Sequence, residues 1–209
     1  MENIEPVKNM YKGGFFKNRH KLGWRAPIVV EALINVFGLD KEKHSVIDVG
    51  CAIGEYVAEF QRLGFEAAGI EGSEAAKEFF VTDVNMYVLD LRKAIEFYEE
   101  DLKKKVFDLA YSLEVAEHIH PDFVETYIDN LCLLSDTVLI SAASPGQKGH
   151  GHVNCCPASY WIKKFNDRGY IHMRGIENNW KSELAHYRTK KELSSYIKNV
   201  IVLRRKNVR

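Results

Sequence analysis

The run Val46-Ile47-Asp48-Val49-Gly50-Cys51-Ala52-Ile53-Gly54 and, a helix-length further on, Ala67-Ala68-Gly69-Ile70-Glu71-Gly72 carry the residue types of a nucleoside site. Glycine at a tight turn leaves the space a Cβ would fill, so a ligand can approach the backbone. A carboxylate ending the next strand can accept hydrogen bonds from both hydroxyls of a ribose. Further along stand Asp90-Leu91, then Ser112-Leu113-Glu114 with Glu117-His118, then Pro145-Gly146-Gln147-Lys148-Gly149-His150-Gly151-His152-Val153-Asn154. Histidine changes charge near neutral pH, so His118 and His152 are candidates for acid-base work on an acceptor. The alternatives are that His118 braces its loop through a carbonyl or carboxylate and that the 145–154 string is polar loop filler.

Spacing narrows the ligand. A dinucleotide site uses G-x-G-x-x-G, whose glycines and helix N-terminus meet a pyrophosphate. Here Ala52 takes the place of the middle glycine and Gly54 comes one residue early. The pattern acidic-x-Gly-x-x-x-Gly, with Asp48 two residues before Gly50, resembles motif I of the class I S-adenosylmethionine-dependent methyltransferases. That cofactor carries an ammonium and a carboxylate and no phosphate. The resemblance implies cofactor contacts for Asp48, Gly50, Cys51, Ala52, Gly54, Glu71 and Gly72. It further implies Asp90 at the adenine amine and Leu91 against the ring, with a helix N-cap as the other reading of Asp90. Phe107 to Ile119 resembles motif IV of the small-molecule branch, which places Ser112 and Glu114 at the cofactor and His118 at the mouth of the site. The string with His152 and Asn154 resembles the loop after strand 5 in uncharacterised bacterial and phage methyltransferase-like proteins bearing Gly-His-x-Asn. The implied reaction is transfer of a methyl group to a nitrogen or oxygen of a small-molecule acceptor. A nucleotide or RNA methyltransferase and a non-catalytic S-adenosylmethionine-binding protein are the alternatives.

Missing signatures exclude relatives. No Asn/Asp-Pro-Pro-aromatic motif follows strand 4, where Ser112-Leu113-Glu114 stands, and Cys156-Pro157 reverses the Pro-Cys order of a cytosine C5 nucleophile. Glu114 and Glu117 alone do not make an oxygen set for Mg²⁺. No carboxylate or cysteine spacing beside His150 and His152 marks a metal site, so none is expected. With 29 Lys+Arg against 29 Asp+Glu the formal charge is zero, which disfavours a nucleic-acid partner, although Arg204-Arg205-Lys206 forms a local patch. The four cysteines form no C-x-x-C pair, and the chain opens Met1-Glu2-Asn3-Ile4-Glu5 without an apolar signal region. A cytoplasmic protein with no membrane span is expected; oligomeric state is open.

The elements that must position these residues follow from periodicity. Residues 1–24, aromatic and polar with Gly13-Gly14, read as a flexible lead-in or lid. A helix opens at Pro27 and stops at Gly38. Strands are expected at Ser45–Val49, Phe65–Ile70, Met86–Leu89, Val106–Ser112, Thr137–Ala142, Tyr170–Met173 and Asn199–Leu203. Helices are expected at Glu55–Leu63, Glu74–Phe80 with Ser73 as cap, Arg92–Lys104, from Pro121-Asp122 onward, Ala158–Arg168, and between Lys181 and Tyr196. Alternating β and α units in 209 residues imply one α/β domain, Rossmann-like and doubly wound, with helices on both faces of a mostly parallel sheet. Seven strands with the last antiparallel is what the family resemblance implies.

Overall fold

In a computed structural model, residues 13–95 and 106–206 are described. The helices are α1 Gly13–Arg19, α2 Arg25–Phe37, α3 Glu55–Arg62, α4 Val124–Leu134, α5 Ala158–Asn166, α6 Arg174–Glu183 and α7 Lys191–Lys198. The strands are β1 Ser45–Val49, β2 Glu66–Glu71, β3 Met86–Val88, β4 Leu109–Leu113, β5 Thr137–Ser141, β6 Tyr170–His172 and β7 Val200–Arg205. They form one seven-stranded sheet in the order β3-β2-β1-β4-β5-β7-β6, parallel except that β7 runs against both neighbours. The expected Rossmann-like sheet with an antiparallel last strand is therefore present.

All five residues of β1 are buried, as a strand covered on both faces must be. Ile47, Val49, Ala68 and Ile70 face one core with Tyr127, Ile128 and Leu131 of α4 and Trp161 and Phe165 of α5. Val46, Ala67, Leu109 and Tyr111 face the other, filled by Val29, Val30 and Leu33 of α2, Val57 and Phe60 of α3, and Trp180, Leu193 and Tyr196. Strand order reverses between β1 and β4, so the crevice for a ligand opens at the carboxyl ends of those two strands.

Several boundaries differ from the sequence reading. Residues 13–22 are helical, as α1 and a 3₁₀ turn at His20–Leu22, and α1 packs on the segment Glu74–Phe79. That segment is itself 3₁₀ rather than α-helical: the Ser73 side chain makes no capping bond, and its N–H is held by Glu71 Oε1 at 2.9 Å. β4 begins at Leu109 instead of Val106, which is 65% exposed and unpaired with the sheet. The expected helix Arg92–Lys104 falls mainly on residues 96–105, outside the described residues. Helix α6 was not legible, because Gly175, Asn178 and Asn179 are poor helix formers. Burial overrides propensity there: Trp180 is 0% exposed and donates its indole N–H to Tyr196 O at 3.0 Å. Trp180→Ala should cost about 3–5 kcal/mol of stability, measured by chemical denaturation; a loss under about 1 kcal/mol would show that α6 docks without it.

Candidate active site

The glycine turn after β1 is held from below. Gly50 and Cys51 both donate their N–H to Ile70 O, at 2.7 and 3.0 Å, and Gly54 donates to Cys51 O at 2.9 Å. Gly50 has φ +87°, and a Cβ there would lie 2.4 Å from a methyl of Val115, on the segment after β4. The turn residue Ala52 also sits at positive φ, +53°, strain that a non-glycine residue adopts only where its surroundings enforce it. Its N–H is fastened to Glu71 Oε2 at 2.9 Å. Glycine here makes room for the neighbouring segment as well as for any ligand.

Glu71 thus holds two backbone donors, Ala52 N–H on one oxygen and Ser73 N–H on the other. A carboxylate has about four acceptor directions, so two remain for hydroxyl donors. Burial pushes its carboxyl up to about 7, although the N–H groups of Ser73, Ala52 and Gly72 and the charge of Arg19 all favour the ionised form. Asp48, 3% exposed, is likewise raised well above the ordinary range by burial. It pairs in register with Gly69 and Tyr111, on the same face as Cys51 and Tyr56.

Arg19, at the end of α1, escaped the sequence reading. Its charge acts on Asp48, Cys51, Glu55 and Glu71, and its buried Nε lacks a hydrogen-bond partner among the described residues. A basic residue among aromatics in an otherwise patternless segment was the only signal. Phe16 of α1, almost wholly buried, packs with Ala52, Ile53 and Ala76 and stacks near Phe79, centroids 6.5 Å apart. Within the expected lead-in or lid the aromatics thus divide: Phe16 packs over the turn, while Phe15 and Trp24 are exposed.

Asp90, at the carboxyl side of β3, accepts bonds from Arg92 N–H, Nε and Nη2 at 3.1, 2.9 and 2.9 Å. Leu91 is buried in the core with Leu89 and Ile95. Ser112 is fully buried; its Oγ donates to Val49 O at 2.6 Å and accepts from Tyr127 O–H at 2.7 Å, a clasp between β1, β4 and α4. Gly72 follows Glu71 at the rim. These residues share the carboxyl edge of the sheet, and Asp90, Leu91 and Ser112 also have structural duties there.

On the other side of the crevice, Glu114 is, like Ala52, a non-glycine residue at positive φ, +55°, its N–H held by Ser141 Oγ at 2.9 Å. The chain then makes a 3₁₀ turn, Ala116–His118. The long loop 144–157 folds back on this turn: Val153 and Asn154 donate their N–H to Glu117 O at 2.9 and 3.0 Å. His118 Nδ1 lies 3.0 Å from Gly151 O and His152 Nδ1 lies 3.1 Å from Gln147 O. The two rings meet edge to face, centroids 5.0 Å apart, and His152 Nε2 is 4.0 Å from Glu117 Oε1. Burial pulls His118 down to about 4, keeping it neutral at physiological pH. Burial and the neighbouring Glu114 push Glu117 up to about 8. The carboxylate that local spacing near His152 did not reveal is thus supplied by a segment some 35 residues earlier.

A sequence profile of the methyltransferase domain family matches residues 22–192, and the chain belongs to that family. Its class is therefore that of the methyltransferases. No curated protein matches the chain. Among solved structures, a SAM-dependent methyltransferase from Archaeoglobus fulgidus is 16% identical with TM-score 0.59, covering 91% of this chain and 99% of that one. Magnesium protoporphyrin IX methyltransferase from Synechocystis PCC 6803, with bound SAH, is 19% identical with TM-score 0.52, over 77% and 79%. The [4+2]-cyclase SpnF is 13% identical with TM-score 0.55, over 85% and 79%. The fold thus also carries chemistry other than methyl transfer.

Glu71→Ala should lower stability even without ligand, by about 1–3 kcal/mol, because the N–H groups of Ala52 and Ser73 lose their partner. An unchanged melting temperature would mean that water replaces the carboxylate without cost.

Proposed function

We propose that the chain acts as a single domain transferring the methyl group of S-adenosylmethionine to a small-molecule acceptor at nitrogen or oxygen. The observation that carries this reading is the crevice between β1 and β4, with the glycine turn, Glu71, Asp48 and Arg19 on one side and Glu114, Glu117, His118 and His152 on the other. The first group suits the cofactor: Glu71 retains acceptor capacity for two ribose hydroxyls, Asp48 matches an ammonium, and the orphaned Arg19 Nε matches a carboxylate. Bound there, S-adenosylmethionine supplies a methyl on a sulfonium, open to in-line displacement. The protein's task is to align the acceptor and exclude water. Burial leaves His118 a weak base, so the proton-accepting role in this reading falls to His152. Loop 144–157, pinned to Glu117 O, covers the acceptor side and favours a compact substrate.

A nucleic-acid acceptor is the second reading, because Lys181, Arg188 and Lys198, with Ser194 and Ile197, line a cavity of about 370 Å³. Phosphate contacts there would make binding fall steeply with salt. Among the described residues no helix is long and apolar enough to cross a membrane; a cytoplasmic setting is part of the proposal.

Two outcomes are expected. Affinity for S-adenosylhomocysteine, measured calorimetrically, should fall as pH drops from 8 to 6, because protonating Glu71 near 7 removes acceptor capacity. Glu71→Gln should flatten that profile; an equally steep profile in the variant would assign the titration elsewhere. With an acceptor found by screening labelled methyl transfer, His152→Ala should lower kcat at least tenfold while cofactor affinity changes less than about twofold. Equal losses in both would make His152 a structural residue.

A further inference from the structure

We propose that Glu117, His118 and His152 form a site for a divalent transition-metal ion at the acceptor end of the crevice. We infer also that this ion binds a hydroxyl oxygen of the acceptor. The second half rests on the methyl-transfer reading; the metal site does not.

Three observations carry the site. First, one ring nitrogen from each histidine and one carboxylate oxygen of Glu117 lie within 4.8 Å of one another, with 4.0 Å between His152 Nε2 and Glu117 Oε1. Around a tetrahedral ion at about 2.0–2.2 Å from each ligand, donors stand roughly 3.4 Å apart. Shifts well within side-chain freedom close that gap.

Second, the Glu117 side chain is 0% exposed, and neither carboxylate oxygen has a hydrogen-bond partner of good geometry among the described residues. A carboxylate removed from water demands compensation by donors or a cation. The groups that face it are the two imidazoles, the N–H groups of Glu117 and Ala143, and the like charge of Glu114.

Third, each histidine is braced as a metal ligand is braced. A backbone carbonyl can only accept, so the contacts of His118 Nδ1 with Gly151 O and of His152 Nδ1 with Gln147 O place the ring protons at Nδ1. The lone pairs then sit on Nε2. This fixing of tautomer and ring by an outer carbonyl is the usual support of ligating histidines. The loop is shaped for it: a Cβ at Gly149 would lie 2.1 Å from His152 Nε2, so only glycine lets the ring occupy this position.

The donor set selects the ion. Two imidazoles and one carboxylate suit Zn²⁺, Mn²⁺ or Fe²⁺, whereas Mg²⁺ prefers an all-oxygen octahedral shell. Cys155 Sγ lies 3.5 Å from His152 Nδ1, on the ring's braced side, and does not extend the set. Three protein donors leave a position open, as in catalytic zinc sites. With the ion bound, His152 Nε2 is a ligand and no longer takes the acceptor's proton itself; a hydroxyl on the ion loses its proton to water more readily, because the cation stabilises the alkoxide. The oxygen lone pair then attacks the sulfonium methyl: the O–C bond forms, the C–S bond breaks, and its electron pair stays on sulfur as S-adenosylhomocysteine leaves. Val115, two residues before Glu117, packs on Gly50 and so keeps the ion's ligands beside the cofactor turn.

The test is calorimetric titration of the chelator-treated full chain with Zn²⁺, Mn²⁺ and Mg²⁺, alongside titration with S-adenosylhomocysteine. One Zn²⁺ or Mn²⁺ per chain is expected, with Mg²⁺ at least tenfold weaker. Glu117→Gln and His152→Ala should each weaken the ion at least tenfold while affinity for S-adenosylhomocysteine stays within about twofold. Gly149→Ala, which removes no donor but displaces the ring, should weaken it too. Circular dichroism identifies any variant that fails to fold, and His152→Ala, on a surface loop, keeps the test decisive. Absence of saturable one-to-one binding, or full affinity in His152→Ala, overturns the site while leaving methyl transfer intact. Metal binding without S-adenosylhomocysteine binding upholds the site and removes the cofactor reading. If the ion binds but transfer to a hydroxyl acceptor is unchanged by chelation, the ion's role in catalysis is overturned.

Discussion

Val115 occupies the space that any side chain at Gly50 would claim, and the two halves of the crevice depend on that contact. The turn after β1 can approach the segment after β4 only because Gly50 has no Cβ and adopts φ +87°. On the β1 side the approach sets Ala52 against Glu71; on the β4 side it sets the strained Glu114 and the turn that presents Glu117 and His118. Non-glycine residues at positive φ on both sides, Ala52 and Glu114, mark where the fold tolerates strain to bring these groups together.

Charge is handled unusually in this crevice. Asp48, Glu71 and Glu117 are all buried and all have carboxyls raised by that burial. Glu71 is compensated by backbone N–H groups, and Arg19 acts on both Glu71 and Asp48 from α1. Glu117 is met by its own N–H and that of Ala143 and by the His152 ring 4.0 Å away. Ligands that bring opposite charge or donors would relieve each deficit, and the deficits differ in kind: hydroxyls at Glu71, an ammonium at Asp48, a metal cation at Glu117.

Local pattern was enough for β1, the glycine turn, α3 and Glu71, because a β-branched run, a turn glycine and a strand-ending carboxylate are all encoded within a few residues. The same holds for β5 and α4. The antiparallel β7 came from family resemblance, since strand direction is not a local property. What escaped was non-local. Helix α6 depends on burying Trp180 beneath α7, and Arg19 becomes meaningful only when α1 folds over the turn. The Glu117-His152 pairing spans two loops, joined by the N–H groups of Val153 and Asn154 on Glu117 O. Asp90, Leu91 and Ser112 fall at the expected edge, but their ion pair, core packing and hydroxyl clasp could not be read from types alone.

A crystal structure with S-adenosylhomocysteine bound tests the central claim most directly, because the claim is geometric. The account requires the ribose hydroxyls on Glu71, the amino-acid end between Asp48 and Arg19, and the sulfur turned toward the Glu117-His118-His152 side of the crevice. A sulfur facing away from that cluster, or a ribose held elsewhere than at Glu71, would contradict it.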